Sequence, residues 1–319
     1  MSESYLHPLL HGERLHVPDP HHPGDPAASG RARGVRRRPG AHAGRPMHPM
    51  LSGLFSLLAI AAGVLLALLA LAYWRQDAMI FFPRPNDPML ALKQRDKRVE
   101  IRSGNARLEG WWIDNPRAHS PAIILYFGGN AEDVLYSATT ASLLDARRML
   151  VVNYRGYGGS TGKPGQSALY EDALNIYDFA IRSGASPEHI ILMGRSLGSA
   201  AAAMLAAHRQ VAGVVLITPF DSLADVGARH YPFLPVRLLL RHPFAAVKWA
   251  RQARAPALVL AAQRDAIVPP EHARRLYDAW FGAKEFRLLE NVGHNDIELH
   301  PAYYEAINTF IAARFTADA

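Results

Sequence analysis

From about residue 97 onward, short apolar runs alternate with amphipathic stretches, and that alternation leaves few architectures open. The runs occupy 108–114, 122–127, 149–154, 189–193, 211–218, 257–262 and 285–289. Helical spacing fills 132–147, 167–182, 197–208, 271–280 and 302–313. A strand buried on one face alternates apolar and polar side chains, whereas one buried on both faces reads as an unbroken apolar run. The runs here are mostly unbroken, so an α/β fold is expected: a mostly parallel sheet with helices on both faces. Residues 221–254 interrupt the rhythm, with Pro232, Pro235 and Pro243 around an apolar 236–240. That insertion reads either as packing over one sheet edge or as a short helical lid over a substrate pocket, since long insertions in compact domains are often functional.

A second constraint is the stretch 50–74, MLSGLFSLLAIAAGVLLALLALAYW, which is 25 residues without a charged side chain. A helix crossing the hydrocarbon core needs about 20 apolar residues, and Tyr73 and Trp74 stand where an interfacial belt would. A cleaved signal peptide has a shorter apolar core and ends at a small-residue site; no such site precedes Arg75. The expectation is a single transmembrane anchor over 50–74, a linker over 75–98 and a globular domain over 99–319. Six arginines lie in the 20 residues before the run, against Arg75, Arg84, Lys93 and Arg95 after it. By the positive-inside rule the N-terminus is cytoplasmic and the globular domain lies on the non-cytoplasmic side. That bias disappears if translation starts at Met47 or Met50.

Residues 1–49 hold eight of the 23 prolines and seven of the 15 histidines, with no apolar periodicity, and read as a disordered tail. Seven arginines against four acids give the tail +3 of the net +7. The remaining +4 is no unusual field, so no nucleic-acid partner is expected. Arg36, Arg37 and Arg38 read as a solvated flank rather than a lipid or nucleic-acid site. The chain has no cysteine, which excludes thiol nucleophiles, disulfides and zinc–cysteine sites. No group of His, Asp and Glu has ligand spacing either, so neither a metal nor a cofactor is expected.

Two segments match G-x-S-x-G: Gly194-Arg195-Ser196-Leu197-Gly198 and Gly158-Gly159-Ser160-Thr161-Gly162. Context separates them. Ser196 follows the apolar run HIILM and opens the Ala-rich stretch SLGSAAAAMLAAH. A strand, a sharp turn and a helix in that order lift a serine hydroxyl above the sheet, where the helix N-terminus also faces developing negative charge. Ser160 precedes Lys163-Pro164-Gly165, so no helix begins there and a glycine loop is expected.

A serine nucleophile needs a base, and the base an orienting acid. On such a sheet they follow in the order Ser, Asp or Glu, His, each after a later strand. Asp265 follows the run 257–262 and His294 follows the run 285–289. Asp221 after 211–218 is the alternative acid, while Asp296 reads as a loop-orienting group. An oxyanion hole takes the N–H of the residue after the nucleophile, Leu197, and a second donor after the third strand. Gly128-Gly129-Asn130 follows the run 122–127, making the Asn130 N–H the candidate and Gly129 the next.

With these residues in place the chain resembles the α/β-hydrolase superfamily, and within it the membrane-anchored, serine-aminopeptidase-like branch of uncharacterised acyl hydrolases. The likeness is carried by Gln76-Asp77-Ala78-Met79-Ile80-Phe81-Phe82-Pro83, Tyr126-Phe127-Gly128-Gly129-Asn130-Ala131-Glu132 and Asn153-Tyr154-Arg155-Gly156-Tyr157-Gly158-Gly159-Ser160. Further along come the Ser196 motif, Asp265-Ala266-Ile267-Val268-Pro269 and Gly293-His294-Asn295-Asp296, so it spans about residues 50–315. The family usually has His where this chain has Gly128, and Asp where it has Asn153. The resemblance implies a serine hydrolase that cleaves an ester, thioester or amide through an acyl-enzyme. The substrate would be a small molecule or acylated compound, lipid-like if the anchor and lid bear on it, with membrane lipid a partner through the anchor. Competing readings are an aminopeptidase and a catalytically silent binding or scaffold protein; the intact Ser196, Asp265 and His294 speak against silence.

Overall fold

A computed structural model describes residues 49–315 of the chain; the basic tail before Pro49 lies outside the described residues. The chain divides into two units, 1–56 and 57–319. Of the first, the described part is helical; the second holds the sheet and every element after α1.

Eight strands form one sheet in the order β1-β2-β4-β3-β5-β6-β7-β8. They are β1 (Arg98–Ser103), β2 (Ala106–Asp114), β3 (Ile123–Phe127), β4 (Arg148–Val152), β5 (Ile190–Arg195), β6 (Gly213–Ile217), β7 (Ala257–Ala262) and β8 (Lys284–Leu289). β1 pairs with β2 and β2 with β4 antiparallel, and all remaining pairs are parallel. The helices are α1 (Pro49–Ile80), α2 (Pro88–Lys93), α3 (Val134–Thr139), α4 (Gln166–Arg182), α5 (Leu197–His208), α6 (Leu223–His230), α7 (Val236–Leu239), α8 (Ala246–Ala250), α9 (Pro270–Ala279) and α10 (Ala302–Phe315).

The unbroken apolar runs have the expected cause. On β3, Ile123, Leu125 and Phe127 enter one apolar cluster, while Ile124 and Tyr126 enter the other, on the opposite face. Each such side chain contributes about 2 kcal/mol by leaving water. Helix α5 is buried from Leu197 through Ala206; its alanines let it pass close beneath β5 and against α4 and α8.

Four elements differ from the sequence expectation, the short α2 within the stretch read as a linker being one. The apolar helix continues past Trp74 to Ile80, because polar Arg75, Gln76 and Asp77 do not break a helix and no proline arrives before Pro83. The helix expected over 132–147 is only α3 followed by a tight turn at Ala141–Leu143. Asp133 caps α3 by accepting from Leu135 N at 3.0 Å, so the helix starts after Glu132. Strand β1 lies where the sequence reads as linker and domain edge. As the outermost strand it alternates exposed Arg98, Glu100 and Arg102 with inward Val99, Ile101 and Ser103, a weaker signal than an apolar run.

Among the described residues one helix is long and apolar enough to cross a membrane, Met50–Ile80, whose most apolar 18-residue stretch has a mean hydropathy of 2.8. At 1.5 Å per residue it is about 46 Å long. Its uncharged part is exposed almost throughout.

Candidate active site

Sharp reversal at the end of β5 creates the site. Ser196 joins β5 to α5 with φ 49° and ψ −113°, a region that side chains rarely occupy and that costs about 1–3 kcal/mol. Its N–H is held by Ile217 O at 2.8 Å, which over-determines the turn. The flanking glycines answer to close packing: a Cβ at Gly194 would come within 2.5 Å of Gly198 O, and one at Gly198 would overlap Phe127 O.

The three residues singled out from the sequence meet at this edge of the sheet. Ser196 Oγ lies 2.9 Å from His294 Nε2, and His294 Nδ1 lies 2.7 Å from Asp265 Oδ2. Asp265 and His294 are both buried. The other Asp265 oxygen accepts from Ile267 N at 2.9 Å and Val268 N at 2.7 Å, so the carboxylate cannot swing away. Asp296 accepts from Gly293 N at 2.7 Å and shapes the His294 loop. Asp221 pairs instead with His272, at 2.7 Å. The Ser160 hydroxyl donates to Asn153 O at 3.0 Å and accepts from Glu109 N at 2.9 Å, bracing the glycine loop against β2.

Opposite Ser196 lies the loop after β3. Leu197 N, the first of α5, and Asn130 N make no hydrogen bond among the described residues, which is the state an oxyanion donor requires before substrate arrives. Gly129 N is already spent: it donates to Glu132 Oε2 at 2.6 Å. Glu132 also accepts from Tyr126 OH at 2.7 Å and Ser137 Oγ at 2.6 Å, and pairs with Arg195 at 3.3 Å. Burial and the Glu132 carboxylate push the Tyr126 phenol well above its ordinary value, so it stays a donor. A side chain at Gly128 would meet Val134 at 3.0 Å and the Glu132 carboxyl at 3.3 Å, so Glu132 fills the space that a histidine would need. Asn153 donates to Asn86 Oδ1 at 2.8 Å and Glu109 Oε2 at 3.3 Å, an amide serving where the family's acid would have to accept.

The segment after α1 completes the site. Asn130 Nδ2 donates to Ile80 O at 2.6 Å, capping the last turn of α1. Asn130 Oδ1 accepts from Tyr157 OH at 2.7 Å, Ala131 N at 3.0 Å and Phe82 N at 3.1 Å. Burial pushes the Tyr157 phenol up to about 12, keeping it protonated as that donor. Residues 84–88 then wall one side of a cavity of about 830 Å³ that also holds Ser196, His294, Tyr136, Ile267 and Glu298. Sequence reasoning missed this strap, which lies outside any periodic element, and the role of Glu132, which reads there as the first residue of a helix. A larger cavity, about 940 Å³, lies between the insertion and α9 and does not reach Ser196.

A sheet of this order with Ser196, Asp265 and His294 together on the loops beyond the carboxyl ends of β5, β7 and β8 has the arrangement of a hydrolase-like class. A family model for the alpha/beta hydrolase fold matches residues 122–237. An uncharacterised protein of Mycobacterium tuberculosis is 36% identical over 250 residues, 76% of this chain and 89% of its own length. Human alpha/beta hydrolase domain-containing protein 17C is 30% identical over 197 residues, 59% of this chain and 57% of its own. Among solved structures, an esterase of Pyrococcus furiosus superposes with a TM-score of 0.56 at 18% identity, covering 74% of this chain and 97% of that one. A thermophilic esterase of Thermogutta terrifontis gives 0.52 at 19% identity, covering 69% and 99%. At these identities the two structures speak for the fold alone. The chain belongs to the α/β-hydrolase superfamily.

Proposed function

We propose that this chain is a membrane-anchored serine hydrolase that opens an ester or related acyl bond through an acyl-enzyme. The observation that carries the reading is the unbroken relay from Asp265 Oδ2 through His294 to Ser196 Oγ, at 2.7 and 2.9 Å. With Asp265 accepting the Nδ1 proton, Nε2 of His294 is the acceptor that takes the Ser196 proton as Oγ attacks the carbonyl carbon. The carbonyl oxygen becomes an oxyanion facing the Leu197 and Asn130 N–H groups, each such donor being worth about 3 kcal/mol in the transition state. The proton on His294 then passes to the leaving group, the carbon–heteroatom bond breaks, and Ser196 carries the acyl group. Water, deprotonated by the same imidazole, releases the acid and restores the hydroxyl.

The two esterases among the similar structures make an ester the first substrate to try. A uniformly apolar helix, exposed over almost all of its uncharged part, has little protein surface to bury it, which supports an anchor and favours acyl substrates at a lipid surface. The arginines before it favour a hydrolase domain on the non-cytoplasmic side. Labelling by a fluorophosphonate probe in membranes tests the mechanism: strong labelling of the wild type and none of Ser196→Ala is expected. Labelling that survives Ser196→Ala, or a folded wild type that never labels, sinks the proposal.

A further inference from the structure

The insertion carries an exposed apolar tip next to the base of α1. Every residue from Arg229 to Pro235 is exposed, Phe233 by 96% and Leu238 by 87%. Water-exposed side chains of this size, gathered with Tyr231 and Leu234 on one short segment, mark a contact surface rather than ordinary surface scatter. The segment is also one-signed: residues 229–242 contain Arg229, Arg237 and Arg241 and no acid.

Its exit is bolted to the helix. Gln76 Nε2 donates to Leu239 O at 2.8 Å and Gln76 Oε1 accepts from Arg241 N at 2.8 Å. Arg241 Nη2 donates to Asp77 at 2.5 Å, and His242 Nε2 lies 3.0 Å from the same oxygen. Reaching one turn further down, the Arg241 guanidinium covers the Tyr73 ring at 5.6 Å. Tyr73 and Trp74 end the uncharged run, and such aromatic pairs lie at the headgroup level of a bilayer. The insertion therefore leaves the body within one helical turn of that level.

We propose that residues 231–238 form a second membrane contact, an apolar tip that enters the headgroup region of a glycerophospholipid bilayer beside the anchor. This rests on the anchor reading of α1. Arg229 favours anionic headgroups, Arg237 and Arg241 being paired with Asp225 and Asp77. The turn flanked by Pro232 and Pro235 presents Phe233, with Leu238 on the following α7, as wedge residues with little ordering cost. One consequence is that α1 and the tip make two separated attachments, which fix the tilt of the domain so that its cavity keeps one orientation to the lipid surface.

Because the chain has no cysteine, single-cysteine variants report position without background. The full chain would be reconstituted in vesicles of phosphatidylcholine and phosphatidylglycerol, with an environment-sensitive NBD label at Phe233→Cys or Leu238→Cys. Ile60→Cys within α1 is the positive reference. Phe281→Cys is the negative one, 63% exposed on the turn into β8 and away from the carboxyl edge of the sheet. Near-UV circular dichroism checks that each variant is folded. The expected result is blue-shifted emission and quenching by doxyl-labelled lipid at 60, 233 and 238, and neither at 281. Quenching at 60 with aqueous emission at both 233 and 238 overturns the tip while leaving the anchor in place. Equal quenching at 281 overturns it too, since the whole domain would then be embedded. Aqueous emission at 60 removes the anchor, and the tip with it.

Discussion

Two buried aspartate–histidine pairs lie in this domain among the described residues, and their short contacts are the same length. Asp265 meets His294 at 2.7 Å, and Asp221 meets His272 at 2.7 Å, all four residues being buried. What differs is the third partner. The His294 ring continues to the Ser196 hydroxyl at the bottom of an open cavity. The second pair is closed by Arg275, whose Nε donates to Asp221 at 2.5 Å and whose Nη2 lies 2.7 Å from His272 Nδ1. Its cavity is the larger of the two, and no hydroxyl side chain among the described residues lines it. A buried Asp–His contact thus has two uses. Pointed at a hydroxyl it can activate a nucleophile; locked by a guanidinium it ties β6 to α9 beneath the insertion.

Isosteric amides at the two aspartates test that contrast where the expected effect is largest. Asp265→Asn keeps the shape but can no longer hold the His294 tautomer that accepts from Ser196, and a loss of about 10⁴-fold in kcat is expected. Asp221→Asn should leave kcat and KM within about twofold, since it touches no reacting atom in the proposed mechanism. Steady-state hydrolysis of a short-chain ester by both variants is the measurement. A comparable collapse in Asp221→Asn would erase the distinction and reopen the acid assignment.

The next effect is on stability and belongs to the other pair. Burial works to raise the Asp221 carboxyl, but the hydrogen bonds and charges of His272 and Arg275 outweigh it and hold the group below its ordinary value of 3.8. A depressed carboxyl stabilises the fold fully above its unfolded value and loses that contribution as pH falls through the folded one. Wild type should therefore lose stability on acidification below about pH 4, and Asp221→Asn should show a shallower acid dependence. At neutral pH the same variant should be less stable by about 2 kcal/mol, the scale of hydrogen bonds to a charged group. Denaturant unfolding of the two proteins from pH 3 to pH 7 would reveal whether the slopes differ; equal slopes would show that Asp221 is not held this way.

These pairs also differ in how readable they are from sequence. Ser196, Asp265 and His294 each follow an apolar run with a local signature, so strand order and spacing alone put all three on one edge of the sheet. The parallel core is legible for the same reason: β3 through β7 are buried on both faces and read as unbroken apolar runs. His272, by contrast, lies on the buried side of an amphipathic helix, where nothing local distinguishes a bonded histidine from a packed one. Strap residues 84–88 and Glu132 act through tertiary contacts between segments that share no period. The late start and short length of α3 have the same source, because Glu132 reads as a helix former while the fold uses it to hold Gly129.

The smallest expected effect sharpens the contrast at the cavity wall. Of the two sites, that of Ser196 alone has the proposed oxyanion loop, and that loop is held through the Asn130 side chain. Tyr157→Phe removes the 2.7 Å donor to Asn130 Oδ1 and leaves Phe82 N at 3.1 Å and Ala131 N at 3.0 Å still donating to it. The Asn130 Nδ2 bond to Ile80 O is untouched. With three of four tethers intact the loop should loosen rather than collapse. A fall in kcat of about threefold, or some 0.7 kcal/mol of barrier, is expected with KM unchanged, because a donor aimed at charge that develops in the transition state affects the chemical step alone. A rise in KM at constant kcat would mean that the strap shapes substrate binding and that Asn130 is not held for the oxyanion. The Asp221 pair has no such loop, so the equivalent loss of one donor there, in Arg275→Lys, should register in stability and leave kcat where it was.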